Sequence, residues 1–216
     1  MRELIVLLIY AVGLFGQVAK QANDRYQSKE GREKVAATLG DPHRDARQKP
    51  KELVAALKIK PGMTVVDLGT GIGYMLPFLS RAVGPEGRVI AVDIFEDFLD
   101  RAKEKAQKEN LSNVTFILGT DRDPKLPENA ADVVLTLDVY HHFDYPELTL
   151  AGIRQALKPN GRLAIVEFYK RGFRDPGHIR LDDADLVKEV EANSFRVLSS
   201  KPFVPDTQYI AIFAKK

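Results

Sequence analysis

The sequence predicts an α/β fold built on a mostly parallel sheet, and three observations carry that reading. Short β-branched runs alternate with amphipathic stretches of helical length from about residue 51 to the end. Gly- and Pro-rich breaks separate the runs. The last two strand-like runs have no helix between them, so they should form an antiparallel hairpin.

The first 20 residues stand apart from this pattern. Leu4 to Gly16 is a run of 13 uncharged, mostly apolar residues. As a helix it would span roughly 20 Å at about 1.5 Å per residue, against about 30 Å for a bilayer core. Arg2 precedes it; Lys20, Arg25, Lys29, Arg32 and Lys34 follow it. That asymmetry favours a cytoplasmic C-terminal side. A membrane anchor or interfacial helix is the preferred reading. A signal peptide comes second, because the flanking residues offer no small-x-small cleavage site. An ordinary packed helix comes third. Residues 21–50 are polar and weakly patterned, and read as a helical connector or a cover over a site.

From residue 51 the elements follow in order. Leu53, Val54 and Leu57 share a helical face that Pro61-Gly62 stops. Thr64 to Leu68 is a strand. Met75, Leu76, Leu79, Ala82 and Val83 mark a helix closed by Gly84-Pro85. Val89 to Val92 is the second strand, and Phe95, Phe98, Leu99, Ala102 and Ala106 give the next helix. Val114 to Leu118 and Asp132 to Leu137 are strands three and four. A helix through Leu148, Ile153 and Leu157 ends at Lys158-Pro159-Asn160-Gly161, and Leu163 to Phe168 is strand five. Asp182 to Asn193 is helical. The hairpin pairs Phe195–Phe203 with Gln208–Ala214.

The chemistry starts at the first strand. In Val65-Val66-Asp67-Leu68-Gly69-Thr70-Gly71-Ile72-Gly73 three glycines occupy the strand-to-helix turn, where a ligand can lie against bare backbone. The spacing is G-x-G-x-G. Tyr74 stands where a dinucleotide fingerprint would place its last glycine, which argues against a pyrophosphate and against a nicotinamide oxidoreductase. Asp67, just before the glycines, suits a ligand ammonium better than a phosphate. Asp93 closes strand two and can accept both hydroxyls of a ribose. Together these residues read as a nucleoside site.

This segment closely resembles the class I S-adenosylmethionine (SAM)-dependent methyltransferases, and the resemblance covers roughly Lys51 to Lys216. It implies a three-layer Rossmann-like fold: a seven-stranded, mostly parallel sheet with an antiparallel last strand. It also implies SAM as cofactor, with Gly69, Gly71 and Gly73 approaching its methionine part, Asp67 near its amino group, Asp93 on the ribose and Ile94 on the adenine. Gly119-Thr120-Asp121 looks like the adenine-contacting segment, with Asp121 facing the exocyclic amine and Asp123 as its rival. Asp138, at the end of strand four, is placed near the reacting methyl.

His141 and His142 follow, and imidazole titrates where a general base must. They are candidate catalytic residues; the alternative is that they fix the loop. Tyr74 is a further candidate on the acceptor side, as are residues 21–50 and the Tyr169–Ile179 loop with Lys170, Arg171, Arg174 and nearby Arg180. His43 and His178 read as isolated surface residues. No metal site is expected: cysteine is absent, and of four histidines only two are close together.

The expected reaction is direct displacement onto a small-molecule acceptor, lipophilic or membrane-associated if the leader is an anchor. Because SAM is made in the cytoplasm, the expected location is the cytoplasmic face of a membrane, with export as the alternative. A net charge of +2 and the lack of a basic aromatic surface weigh against a nucleic-acid partner, and none is expected. A protein methyltransferase and a non-catalytic SAM-binding scaffold stay open, and the oligomeric state is not legible.

Overall fold

Val65 and Val66 are adjacent on the first strand and both fully buried, yet they belong to different cores. Consecutive strand residues point to opposite faces, so burial of both requires helices on each side of the sheet. The computed structural model, which describes residues 16–216, shows that three-layer arrangement.

The strands are β1 (Thr64–Leu68), β2 (Arg88–Asp93), β3 (Val114–Leu118), β4 (Ala131–Leu137), β5 (Leu157–Phe168), β6 (Phe195–Val204) and β7 (Gln208–Lys215). Their spatial order is β3-β2-β1-β4-β5-β7-β6. The first five pair in parallel, and β7 lies antiparallel between β5 and β6. Strand order reverses between β1 and β4, which is where such sheets open a ligand crevice.

The helices are α1 (Lys20–Asn23), α2 (Lys29–Leu39), α3 (Arg44–Gln48), α4 (Pro50–Leu57), α5 (Leu76–Val83), α6 (Glu96–Lys108), α7 (Pro146–Ala156) and α8 (Asp183–Ala192). Leu53 and Leu57 of α4, Leu76, Leu79 and Val83 of α5 and Ala102 of α6 fill one core. Leu150 and Ile153 of α7 and Leu186 and Val190 of α8 fill the other. Between α3 and α4 the chain turns on Lys49, whose φ of 45° is left-handed. Pro50 then sets the first turn of α4.

One element differs from expectation. The predicted turn at residues 158–161 is extended, and β5 starts at Leu157, opposite Ala131, with a register shift between Ala131 and Val133. Strand pairing overrides the local Pro-Asn-Gly signal. Gly161 is needed there because a Cβ would lie 2.7 Å from the Ala131 carbonyl oxygen. Residues 4–15 of the apolar leader lie outside the described residues. Among the described residues no helix is long and apolar enough to cross a membrane.

Candidate active site

β1, β2 and β4 end side by side, and a cavity of about 420 Å³ opens over their C-terminal ends. Gly69, Gly71, Asp93, Ile94, Asp121, Asp138, His141 and His142 all line it. The structure therefore brings most of the sequence-derived site together.

Asp93 is buried at the end of β2. Its Oδ2 accepts from the Gly71 N–H at 2.9 Å and its Oδ1 from the Phe95 N–H at 3.0 Å. Burial pushes its pKa up to about 6, with those backbone donors pulling the other way. Ile94 beside it is 43% exposed, an apolar face open to the cavity. At Gly69, φ is +77° and a Cβ would sit 2.5 Å from Val139 Cγ1, so only glycine lets the loop pass under Val139.

Three expected residues do something else. Gly73 does not line the cavity: a Cβ there would meet Leu76 Cδ1 at 2.9 Å and the Ala102 backbone at 3.2 Å. The third glycine lets α5 start hard against α6. Asp67 is buried behind the wall, where Oδ2 accepts from Thr70 Oγ1 at 2.7 Å and burial raises its pKa to about 6. Tyr74 is the clearest correction. Its hydroxyl donates to Asp45 Oδ1 at 2.9 Å, the Arg44 guanidinium covers its ring at 4.0 Å, and it is absent from the cavity wall.

The two rival aspartates, Asp121 and Asp123, sit differently. Asp123 Oδ1 accepts from the Lys125 N–H at 2.7 Å, and the Asp123 N–H donates to Thr120 Oγ1 at 2.9 Å. Asp123 closes the turn, and Asp121 lines the cavity.

Asp138 adopts a left-handed φ of 57° and accepts from the side-chain amides of Gln208, at 2.6 Å, and Gln48. Burial first, and the Glu167 carboxylate second, push its pKa up to about 7. Glu167, buried at the end of β5, holds His141: Oε2 lies 2.8 Å from Nδ1 and accepts from the His141 N–H at 3.1 Å. Burial alone would lower the His141 pKa, but Glu167 more than offsets it and the net shift is upward. His142 is held by Asn23, whose Oδ1 lies 2.8 Å from Nδ1 while its Nδ2 donates to the His142 carbonyl at 3.0 Å. Burial, then His141 and His178, push the His142 pKa well down.

His178 corrects a second expectation. It is no isolated surface residue: its ring lies 5.0 Å from His141 and 5.4 Å from His142, stacked on Phe173 at 5.0 Å. Arg180, expected among the free cations of that loop, is held by two bonds to Glu189 at 2.6 and 2.7 Å. Residues 21–50 form α1 to α3 and the start of α4, and Asn23, Tyr26, Leu39, Arg44 and Gln48 contribute cavity wall. Tyr26 stacks on Phe95 at 5.7 Å, and Arg32 pairs with Asp97 at 2.7 Å, which fastens this segment to α6.

Sequence reasoning passed over Asn23, Tyr26, Gln48, Glu167 and Gln208. Only Glu167 carried a readable signal, as a lone carboxylate following the apolar buried run Leu163–Val166.

Sheet order, glycine turn and strand-end carboxylates define a nucleoside-binding α/β enzyme. The chain belongs to a methyltransferase domain family, whose model matches residues 59–202. An S-adenosylmethionine-dependent methyltransferase from Aquifex aeolicus superposes with a TM-score of 0.79 at 28% identity, covering 83% of this chain and 96% of that one. A ubiquinone/menaquinone biosynthesis C-methyltransferase, UbiE, of Burkholderia cenocepacia is 28% identical over 67% of this chain and 55% of its own length. An arsenite methyltransferase of Halobacterium salinarum is 32% identical over 54% of this chain and 29% of its own. The chain thus spans less than two thirds of these curated relatives. Its family and fold are those of the class I S-adenosylmethionine-dependent methyltransferases. The residues present suit S-adenosylmethionine: Asp93 offers a buried carboxylate to a diol, Ile94 a bare apolar face to a base, and Gly69 an unobstructed backbone.

Proposed function

We propose that this enzyme methylates a small, lipophilic acceptor held between the histidines and an aromatic wall. The observation that carries the reading is the shape of the cavity beyond the donor residues. Phe95, Phe143, Phe168 and Phe173 line it together with His141, His142 and His178, and the N-terminal helices close over it. A deep, mostly apolar cleft suits a small hydrophobic molecule better than a protein surface. The two named relatives, by their names a quinone-pathway C-methyltransferase and an arsenite methyltransferase, support a small acceptor.

When bound, S-adenosylmethionine supplies a methyl group on a sulfonium that is already a good leaving group. The chain has to align an acceptor atom behind that methyl and keep water out. Asp93, Ile94 and Asp121 orient the donor in this reading, with Asp67 behind the glycine turn. In the same reading Asp138 would meet the methionine end, and the histidine pair would wall the acceptor side. The Leu4–Gly16 run and the cations after it support attachment to the cytoplasmic face of a membrane, which would shorten the path of a lipophilic acceptor.

Calorimetric titration with S-adenosylmethionine and its demethylated product tests the donor site. Micromolar binding that is lost in Asp93→Ala is expected, and no binding by folded wild type overturns the reading. Methyl transfer to lipophilic phenols, thiols and quinols then tests the acceptor class. Recovery of the full chain in a carbonate-washed membrane fraction tests attachment.

A further inference from the structure

Three of the chain's four histidines converge on one wall of the cavity, while the fourth, His43, is exposed. His141, His142 and His178 each bring a potential ligand nitrogen to a point where all three lie within 4.8 Å of one another. His141 and His142 come from the turn after β4, and His178 from the loop after β5. Neighbouring parallel strands create this meeting; no sequence spacing does.

Two of the rings are already prepared as ligands. His141 Nδ1 faces Glu167 Oε2, and His142 Nδ1 faces Asn23 Oδ1, both at 2.8 Å. The Asn23 amide is oriented by its Nδ2 donating to the His142 carbonyl, so its oxygen must face the ring. Both partners accept, so in the neutral rings each Nδ1 carries the proton and each Nε2 keeps the lone pair that a metal would take. Metal-bound imidazoles are held by acceptors of this kind on the far nitrogen. The Tyr26 hydroxyl is 3.4 Å from His142 Nε2, too long to compete with a metal–nitrogen bond.

We propose that His141, His142 and His178 form a site for a divalent transition metal of the zinc, cobalt or iron type, with one coordination position open to the acceptor end of the cavity. Three imidazoles suit borderline metals, and three protein ligands plus an open position is the arrangement of a catalytic rather than a structural ion. Nitrogens around a tetrahedral ion are about 3.4 Å apart for bonds of about 2.0–2.1 Å. The set has to contract from within 4.8 Å to that spacing on binding, and His178, half-buried on the loop after β5, is the ligand that would move. Glu167, hydrogen-bonded to His141, offsets part of the ion's charge.

The site gives the acceptor a chemical class: a hydroxyl or thiol that can bind a metal. An acceptor docked at the open position loses its proton to solvent more readily. Its lone pair then forms the bond to the methyl carbon, and the carbon–sulfur bond of the donor breaks with its electrons left on sulfur. This role rests on the methyl-transfer reading, whereas the metal site itself does not.

The experiment uses the full chain, stripped with a chelator and titrated with Co²⁺ while visible absorption is followed. One Co²⁺ per chain, micromolar binding and the intense bands of a low-coordinate ion are expected. His178→Ala, on a surface loop, should weaken binding about tenfold or more while circular dichroism stays unchanged, and Glu167→Gln about 10–100-fold. His43→Asn should bind as wild type. Absence of Co²⁺ binding in wild type, or equal affinity in His178→Ala, overturns the proposal. Calorimetry with S-adenosylmethionine on the same preparation separates the two readings. Cobalt without donor binding removes the methyl-transfer role alone, and donor without cobalt binding removes the metal site alone.

Discussion

The Gln208 side-chain amide donates to the Gln48 amide oxygen at 3.1 Å, although 160 residues separate the two. Both amides also donate to the Asp138 carboxylate, which closes a ring of three polar groups on the cavity floor. Gln48 ends α3 and Gln208 begins β7, so this ring fastens the N-terminal helices to the sheet. Gln48→Leu removes one member and leaves Gln208 and Asp138 short of a partner, at a cost of about 1–3 kcal/mol. Faster limited proteolysis within residues 20–49 and donor binding weakened about tenfold are the expected results.

Asp67 and Asp93 make the fold pH-dependent. Burial, the largest cause for each, raises both pKa values from 3.8 to about 6. A carboxyl raised in the folded state binds its proton more tightly there than in the unfolded chain. Its contribution to stability is full below about pH 4 and lost as pH rises through about 6. Each is worth on the order of 2–3 kcal/mol. The melting temperature of the ligand-free protein should fall between pH 4 and pH 6 through these groups, and Asp93→Asn should flatten that fall. Donor affinity should move the other way and weaken below about pH 6, where Asp93 takes up a proton. Melting curves and calorimetry across that range check both.

Gly69→Ala places a Cβ at 2.5 Å from Val139 Cγ1 on a backbone with φ of +77°. The left-handed backbone alone costs about 1–2 kcal/mol, and the overlap adds to it. At about 2–4 °C per kcal/mol for a chain of this size, a melting temperature lower by about 4 °C or more is expected. Val139→Ala in the same chain should recover only part of the loss, because it relieves the overlap and leaves the backbone strain. A double-mutant cycle by thermal melting measures the split.

Tyr74→Phe tests the corrected residue. Its hydroxyl serves Asp45 and does not line the cavity. Loss of that hydrogen bond costs about 0.5–1.5 kcal/mol of stability, while donor affinity and turnover should change by less than about twofold. A large fall in kcat with unchanged melting would return Tyr74 to the catalytic set.

The strands were legible because each is a short β-branched run between breaks, and both sheet cores follow from alternation along them. The glycine turn and Asp93 were legible as a spacing. Gly73 was misassigned because two demands share one motif: ligand approach at Gly69, and helix-on-helix packing at Gly73. Tyr74 and His178 failed for a common reason. Whether a side chain on a loop reaches the cavity depends on its path across the sheet, and no local pattern encodes that. His178 looks solitary in sequence, since the histidines it meets lie on a neighbouring strand's connection. The same limit hid Gln48 and Gln208, whose amides matter only because α3 and β7 converge on Asp138. At residues 158–161 a local turn signal lost to the pairing of Leu157 with Ala131.

Lys49, the left-handed residue between α3 and α4, sits ahead of the part of the chain that the family match covers. The family match begins at residue 59 and contains the cavity-facing ends of β1, β2 and β4. Ahead of Lys49 lie helices that touch the acceptor end and fall outside that match. Side chains of these helices can therefore vary at the cavity only where Gln48 keeps its bond to Asp138, Tyr26 its stack on Phe95 and Arg32 its pair with Asp97. A graft cut at Lys49 and Pro50 would have to carry those three contacts with it.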